Sequence, residues 1–480
     1  MSFIENFKNT KIVATLGPAS SSRETLKSLI ESGVNLVRCN FSHGSHADHG
    51  ENIENVREIA DELGMTVAIC ADLQGPKIRV ARFREGPIVL VEGATFLLDA
   101  EMDDDAGDIN AVGIDYKELP SDVNEGDNLL LNDGLIVLSV VKVDGKKIIT
   151  KVVVGGKLSN HKGINRQGGG LTAEALTPKD RADLKFAAAC GVDYFAISFP
   201  RDASDIKNAR DLIKKEGSSA QIIAKIERVE AIENIDEIVE ATDVVMMARG
   251  DLAVETGPEI VPVLQKNVLQ VCKEKLVPVI IATQMMESMI DNSVPTRAEV
   301  SDVANAIFDS TDAVMLSAES ASGIYPCETV EMMARICRTT ETNLPNSGID
   351  FAMLDFPISD RNQTIVLSAL FAAATDENIC AIVTLSESGL SPLLLSRFES
   401  RIPIFVLSKN PSLLRRVVLY RRVYPVYADF DSIESRELET KVVSLLREKE
   451  LLPSGKRVAL LRSDTVESYS HSSHLGILQV

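Results

Sequence analysis

Tryptophan is absent from the sequence, and aromatic residues make up only 5% of it. Most of the flat platforms on which nucleic-acid bases stack are therefore missing. Positive charge is also scarce: 50 lysines and arginines face 70 aspartates and glutamates, a net charge of −20. A general nucleic-acid binder needs a basic face, so that class is excluded. If the substrate is an anion, cations must be gathered locally against the overall field. No apolar run approaches the roughly 20 residues of a membrane span, and residues 1–17 lack the charged, apolar and small-residue order of a secretory leader. The seven cysteines (Cys39, Cys70, Cys190, Cys272, Cys327, Cys337 and Cys380) are odd in number, scattered and free of any C-x-x-C pair. Most lie in apolar contexts, which suits reduced packing residues of a cytoplasmic protein and no zinc site.

What is present is ordinary globular composition, 45% hydrophobic and 25% charged, in a chain of 480 residues, too long for one core. Eight short apolar runs punctuate it, at residues 11–16, 35–41, 66–72, 192–199, 221–227, 243–249, 277–283 and 312–318. Continuous rather than alternating apolarity marks strands buried on both faces of a parallel sheet. Amphipathic stretches such as 22–32 and 49–63 lie between them, and Thr177-Pro178-Lys179-Asp180 has the cap, first-turn proline and acid of a helix start. Eight strand–helix units imply a (β/α)8 barrel. The rhythm breaks between Asp72 and Leu171, where alternating strands and turns such as Asn132-Asp133-Gly134 and Asp144-Gly145 read as an inserted all-β domain after the third strand. A C-terminal α/β domain follows, with strands expected at 380–386, 403–408, 422–427 and 457–462. The expected division is 1–72 and 171–345 for the barrel, 73–170 for the insert and 346–480 for the last domain.

Chemistry in such barrels comes from the carboxyl ends of the strands. Those ends here carry Thr15; Arg38, Asn40, Ser42 and His43; Asp72; Lys225 and Glu227; Arg249, Gly250 and Asp251; Thr283 and Gln284; and Ser317 and Glu319. Any one of them has a plain use as a helix cap, but seven such ends together suit a divalent metal and an anionic substrate. Lys225 and Glu227, two apart on a strand, face the same way; a buried ion pair is the alternative. Asp251 follows a glycine and supplies a second carboxylate, as Mg²⁺ prefers, or simply a helix cap.

The segments Val37-Arg38-Cys39-Asn40-Phe41-Ser42-His43-Gly44, Asp72-Leu73-Gln74-Gly75-Pro76-Lys77-Ile78-Arg79, Ala224-Lys225-Ile226-Glu227, Ala248-Arg249-Gly250-Asp251-Leu252, Ala282-Thr283-Gln284-Met285 and the stretch 295–306 resemble those of pyruvate kinases in order and spacing. The resemblance implies transfer of a phosphoryl group from phosphoenolpyruvate to ADP, giving ATP and pyruvate through an enolate. It implies Mg²⁺ or Mn²⁺ on Glu227 and Asp251, and Lys225, Thr283 and Arg38 as catalytic groups. Arg38, Lys225, Gly250, Asp251 and Thr283 would hold the substrate, and Arg79, Lys162, His43 and Asn40 the nucleotide. The family's K⁺ position aligns with Asn40, Ser42, Asp72 and Leu73, but this chain has Lys77 where many members have glutamate. Together with Leu73, Gln74 and Val80, that resembles the potassium-independent subgroup, in which the lysine ammonium replaces the ion's charge. In the last domain Ser386, Ser388, Gly389 and Ser391 align with a loop for a sugar-phosphate or nucleotide monophosphate effector; a plain serine-rich helix start is the alternative. The nearby Arg415, Arg416, Arg421 and Arg422 read as a solvated helix face or subunit contact. A homotetramer is implied by the family. A catalytically inactive metabolite-binding paralogue is the rival reading, against which the intact Lys225, Glu227, Asp251, Arg38 and Thr283 argue.

Overall fold

Eight parallel strands close into a barrel in a computed structural model that describes residues 7–344, 361–431, 433–462 and 473–480. The strands are Lys11–Thr15, Leu36–Asn40, Ala68–Asp72, Tyr194–Ile197, Gln221–Ile226, Val244–Ala248, Val279–Ala282 and Ala313–Leu316, hereafter the first to eighth barrel strands. Each lies within its expected apolar run, trimmed by a residue or more at one or both ends. Most are buried along their whole length, because side chains of one parity fill the barrel and those of the other meet the helices. Val13, Ala68, Tyr194, Ile223, Ile280 and Ala313 belong to the inner core. The expected division at 345/346 lies outside the described residues.

Side-chain caps set where the helices start. Ser22 accepts from the Thr25 N–H ahead of helix Arg23–Glu31. The second helix, His46–Leu63, begins three residues before its expected start, because Ser45 and Asp48 form a reciprocal capping box. Thr177 and Asp180 do the same for Pro178–Ala189, as the sequence indicates.

Between the third and fourth barrel strands lies a six-stranded sheet, in the order Ile164–Arg166, Asn128–Leu131, Ile136–Asp144, Lys147–Val154, Thr95–Asp99 and Ala111–Gly113. A two-stranded pair, Ile88–Leu90 with Gly156–Leu158, accompanies it. Gly145, at φ +62°, forms the hairpin tip between the two longest strands. This insert has its own core, including Phe96, Leu98, Leu129 and Leu138.

The C-terminal sheet runs Val423–Tyr427, Ile404–Ser408, Ile379–Leu385, Arg457–Arg462 and His474–Gln479. Four of these strands were expected; the antiparallel edge strand His474–Gln479 was not. This domain sits against the base of the barrel, and there the expectation for the arginine cluster is corrected. Arg415 Nε donates to Asp193 at 2.7 Å, and Arg57 reaches the same carboxylate at 2.7 Å. Asp312 accepts from Arg397 Nη1 at 2.8 Å and from the Arg421 N–H at 3.0 Å. Arg422 is only 1% exposed and donates to the carbonyls of Leu395, Phe398 and Ile402. Arg416 accepts on its carbonyl from Tyr194 Oη. Arg415 and the Arg421 backbone thus help clasp the last domain to the barrel and Arg422 braces that domain from within, rather than forming a solvated face. Among the described residues, no helix is long and apolar enough to cross a membrane.

Candidate active site

The carboxyl ends of the second, third and fifth barrel strands bring three of the expected charged residues together with Asp72. Arg38 donates from Nε to Asp72 Oδ2 and from Nη1 to Thr15 Oγ1 at 3.0 Å. Lys225 Nζ lies 3.3 Å from Asp72 Oδ1 and 2.9 Å from Glu227 Oε1. The two residues face the same way, as their spacing requires, and form a buried ion pair at the barrel mouth. Burial alone would lower the Lys225 pKa, but the carboxylates of Asp72 and Glu227 hold it above the ordinary lysine value. Burial likewise pushes the Asp72 carboxyl up, and Arg38 and Lys225 overcome this and bring it below its usual range. Glu227 goes the other way: burial raises it, aided by the Asp251 charge and only partly offset by Lys225. The surroundings thus favour the charged forms of Arg38, Lys225 and Asp72, while at Glu227 burial and a second carboxylate work against the charge.

Asp251 sits in the first turn of helix Arg249–Thr256, whose cap residue is Ala248. It is therefore not the helix cap. Its Oδ1 accepts from Lys77 Nζ at 3.0 Å. Gly250 N–H donates to Thr283 Oγ1 at 2.9 Å, and that hydroxyl donates to the Ala282 carbonyl at 2.6 Å. Thr283 and Gln284 both have positive φ, +68° and +55°, a costly conformation for non-glycine residues that surrounding contacts must enforce. Arg249 supplies them: its Nη2 donates to the Thr283 carbonyl at 2.7 Å while Nη1 reaches Asp302 at 2.8 Å. Glu319 is buried and accepts from the N–H groups of Ser317 and Met286. Glu227, whose charge the nearby Asp251 disfavours, and Asp251 itself form a pair of carboxylate donors that fits a hard divalent cation.

The aligned monovalent-cation residues are close to one another but already engaged. Asn40 Oδ1 accepts from the Ser42 N–H at 3.1 Å, both Asp72 oxygens hold cations, and the Leu73 carbonyl accepts from Ser198 Oγ at 2.7 Å. Arg79 and Lys162 lie on the insert, where the Val80 N–H donates to the Lys162 carbonyl at 2.9 Å and Arg79 bridges to Gly163. His43 is on the loop after the second strand, exposed, its N–H on the Asn40 carbonyl. In the last domain Ser386 Oγ accepts from the Gly389 N–H at 3.0 Å, and Ser391 Oγ donates to Asn362 Oδ1 at 2.9 Å. Ser388 Oγ accepts from the Leu390 N–H, and Gly389 takes φ +83° at the start of helix Leu390–Arg397. The sequence reading missed Ser198, whose only signal was its place directly after a barrel strand.

Family comparison agrees with this geometry. The family described as pyruvate kinase, barrel domain, matches residues 7–330, and that described as pyruvate kinase, alpha/beta domain, matches residues 363–477. Pyruvate kinase II of Salmonella typhimurium is 49% identical over 478 residues, spanning 98% of this chain and 99% of that protein. Pyruvate kinase of Haemophilus influenzae is 49% identical over 455 residues, 94% and 95% of the two chains. A crystal structure of a pyruvate kinase from Cryptosporidium parvum superposes with a TM-score of 0.92 at 31% identity, covering 100% of this chain and 97% of that one. On the barrel with its mouth of paired charges, and on these matches, the chain belongs to the pyruvate kinase family of phosphotransferases.

Proposed function

We propose that the site transfers the phosphoryl group of phosphoenolpyruvate to ADP through residues Lys225, Arg38, Glu227, Asp251 and Thr283. The bond from phosphorus to the enol oxygen breaks, a bond to the terminal phosphate oxygen of ADP forms, and the enolate left behind takes a proton on its methylene carbon to become pyruvate. The observation that carries this reading is the buried charge cluster of Lys225 with Asp72 and Glu227. An ammonium held charged and already in place costs no reorganisation when negative charge moves from phosphoryl to enolate oxygen. Arg38, fixed by Asp72 and Thr15, would offer its remaining donors to the phosphoryl oxygens. Glu227 and Asp251 would hold Mg²⁺ or Mn²⁺, which when bound neutralises charge on the phosphoryl and enolate oxygens. The N–H groups of Gly250 and Asp251 and the Thr283 hydroxyl would bind the substrate carboxylate, with Thr283 on the proton path. Arg79, Lys162, His43 and Asn40 would meet the nucleotide phosphates, the first two arriving as the insert closes. A coupled assay with phosphoenolpyruvate, ADP and Mg²⁺ tests this: Lys225→Met should lower kcat by at least about a hundredfold, and a folded variant with undiminished turnover overturns it.

Lys77 supports independence from K⁺. Its ammonium, on Asp251, would bring fixed positive charge to the neighbourhood that a monovalent cation at Asn40, Ser42, Asp72 and Leu73 serves elsewhere. Turnover in potassium-free buffer should match that with K⁺ added, and strong activation by K⁺ refutes the idea. The loop Ser386, Ser388, Gly389 and Ser391 would cradle a sugar phosphate or nucleotide monophosphate effector. The reading also carries domain divisions at 72/73, 170/171 and 345/346, a homotetramer and a cytoplasmic place, the last two resting on family membership.

A further inference from the structure

The fourth barrel strand is followed by Ser198-Phe199-Pro200, which offers neither an ionisable group nor a motif residue. Its contacts are nevertheless with the most charged part of the mouth. Ser198 is 1% exposed. Its Oγ accepts from Lys225 Nζ at 2.7 Å, shorter than either carboxylate contact of that ammonium. An ammonium only donates, so the hydroxyl must accept from it, and its own proton goes to the Leu73 carbonyl at 2.7 Å. The three N–H bonds of Lys225 thus meet Asp72, Glu227 and Ser198. The hydroxyl differs in kind from the two acids: it orients the ammonium without cancelling its charge.

The next residue turns the chain by taking φ +55°, a conformation a phenylalanine holds only under constraint. In that turn the Phe199 N–H donates to Glu227 Oε2 at 3.0 Å. The loop after Asp72 packs directly on the same turn, where a Cβ on Gly75 would lie 2.8 Å from Ser198 Cβ and 3.0 Å from its carbonyl oxygen. Gly75, at φ +67°, is the residue that lets this loop close in.

We propose that the Ser198–Phe199 turn is a positioning element of the phosphoryl-transfer site, Ser198 aiming the Lys225 ammonium and the Phe199 N–H aiming the Glu227 carboxylate, without touching substrate. The inference rests on the roles given above to Lys225 and Glu227. Its test is steady-state kinetics and thermal melting of the full chain as Ser198→Ala, Ser198→Thr and Lys225→Met, at saturating Mg²⁺. For Ser198→Ala, kcat should fall roughly ten- to a hundredfold, the scale set by a misplaced catalytic group. The KM for phosphoenolpyruvate should stay within about threefold, since ground-state binding is retained. Ser198→Thr, which restores the hydroxyl, should recover most of kcat, and the melting midpoints of both Ser198 variants should stay near that of the parent. A parent-like kcat for Ser198→Ala beside an inactive Lys225→Met overturns the positioning role. So does a loss that follows a lowered melting midpoint and is not recovered by Ser198→Thr. An active Lys225→Met instead overturns the site reading beneath it.

Discussion

Asp72 and Glu227 have the same chemistry and similar burial, yet their proton affinities move in opposite directions. Asp72 has a guanidinium on one oxygen and an ammonium on the other, and their attraction exceeds the cost of taking it out of water. Glu227 shares a single ammonium with Asp72 and feels the negative charge of Asp251. One carboxylate is thereby structural, holding Arg38 and Lys225 charged, while the other is left wanting positive charge. Glu227→Gln should therefore raise the Mg²⁺ concentration for half-maximal rate by at least about tenfold, the lower end of what even an outer partner is worth to a metal site. Initial rates over a Mg²⁺ titration read this directly, and an unchanged midpoint counts against a metal at Glu227. Lys225, Glu227 and Asp251 were legible because their motif spacing is local and strand periodicity fixes their direction. Ser198 was not: a serine after an apolar run looks like any turn, and only the closed barrel puts its hydroxyl against Lys225.

Among the elements, the helix Arg249–Thr256 does two jobs. Its first turn carries Gly250 and Asp251, and its last carries Glu255, only 4% exposed, against the strand Ile164–Arg166 by which the insert rejoins the barrel. Glu255 accepts from the Val229 N–H at 3.2 Å and from Asn165 Nδ2 at 3.4 Å, with Arg228 and Glu230 nearby. Burial pushes its carboxyl up from an ordinary 4.5 to about 7, against the pull of Arg228. Between those values the folded chain keeps a proton that the unfolded chain has lost, so stability falls as pH rises through this window. Glu255→Gln, which keeps one acceptor oxygen for the Val229 N–H and removes the charge, should stabilise the protein above pH 7 by up to about 3 kcal/mol and leave it nearly unchanged below pH 4.5. Melting curves at pH 4 and pH 8 check this, and a gain independent of pH refutes the cause. The eight barrel strands could be read from sequence because burial on both faces leaves an unbroken apolar signature. The three-residue strands Ile88–Leu90 and Gly156–Leu158, and the edge strand His474–Gln479, with one partner and an exposed side, carry no such mark.

For the whole molecule, the deciding contacts join the base of the barrel to the last domain. Asp193 and Asp312 precede the fourth and eighth barrel strands, and each is held by an arginine from the C-terminal domain. No local pattern announces this, because Asp193 and its partner Arg415 stand 222 residues apart in the chain. Breaking such a buried pair leaves an uncompensated charge, so Arg397→Met should cost about 3 to 5 kcal/mol. Calorimetry should then show a lower transition, with the C-terminal domain melting apart from the barrel; a single transition at the parent temperature refutes the clasp. Arg397 also overcomes the effect of burial on Asp312 and draws its pKa below the usual range. This contribution is present above about pH 4 and fades on further acidification. The first barrel strand shows the same long reach, with Lys11 Nζ on the Val423 carbonyl at 2.6 Å and beneath the Tyr424 ring, and with the Arg422 N–H on the Asn9 carbonyl. Lys11 therefore leaves water only once a carbonyl 412 residues further along the chain has been made and folded against it. Cut short before Val423, the barrel would have to bury that ammonium with neither its carbonyl nor its aromatic ring, at a cost an isolated buried charge seldom bears.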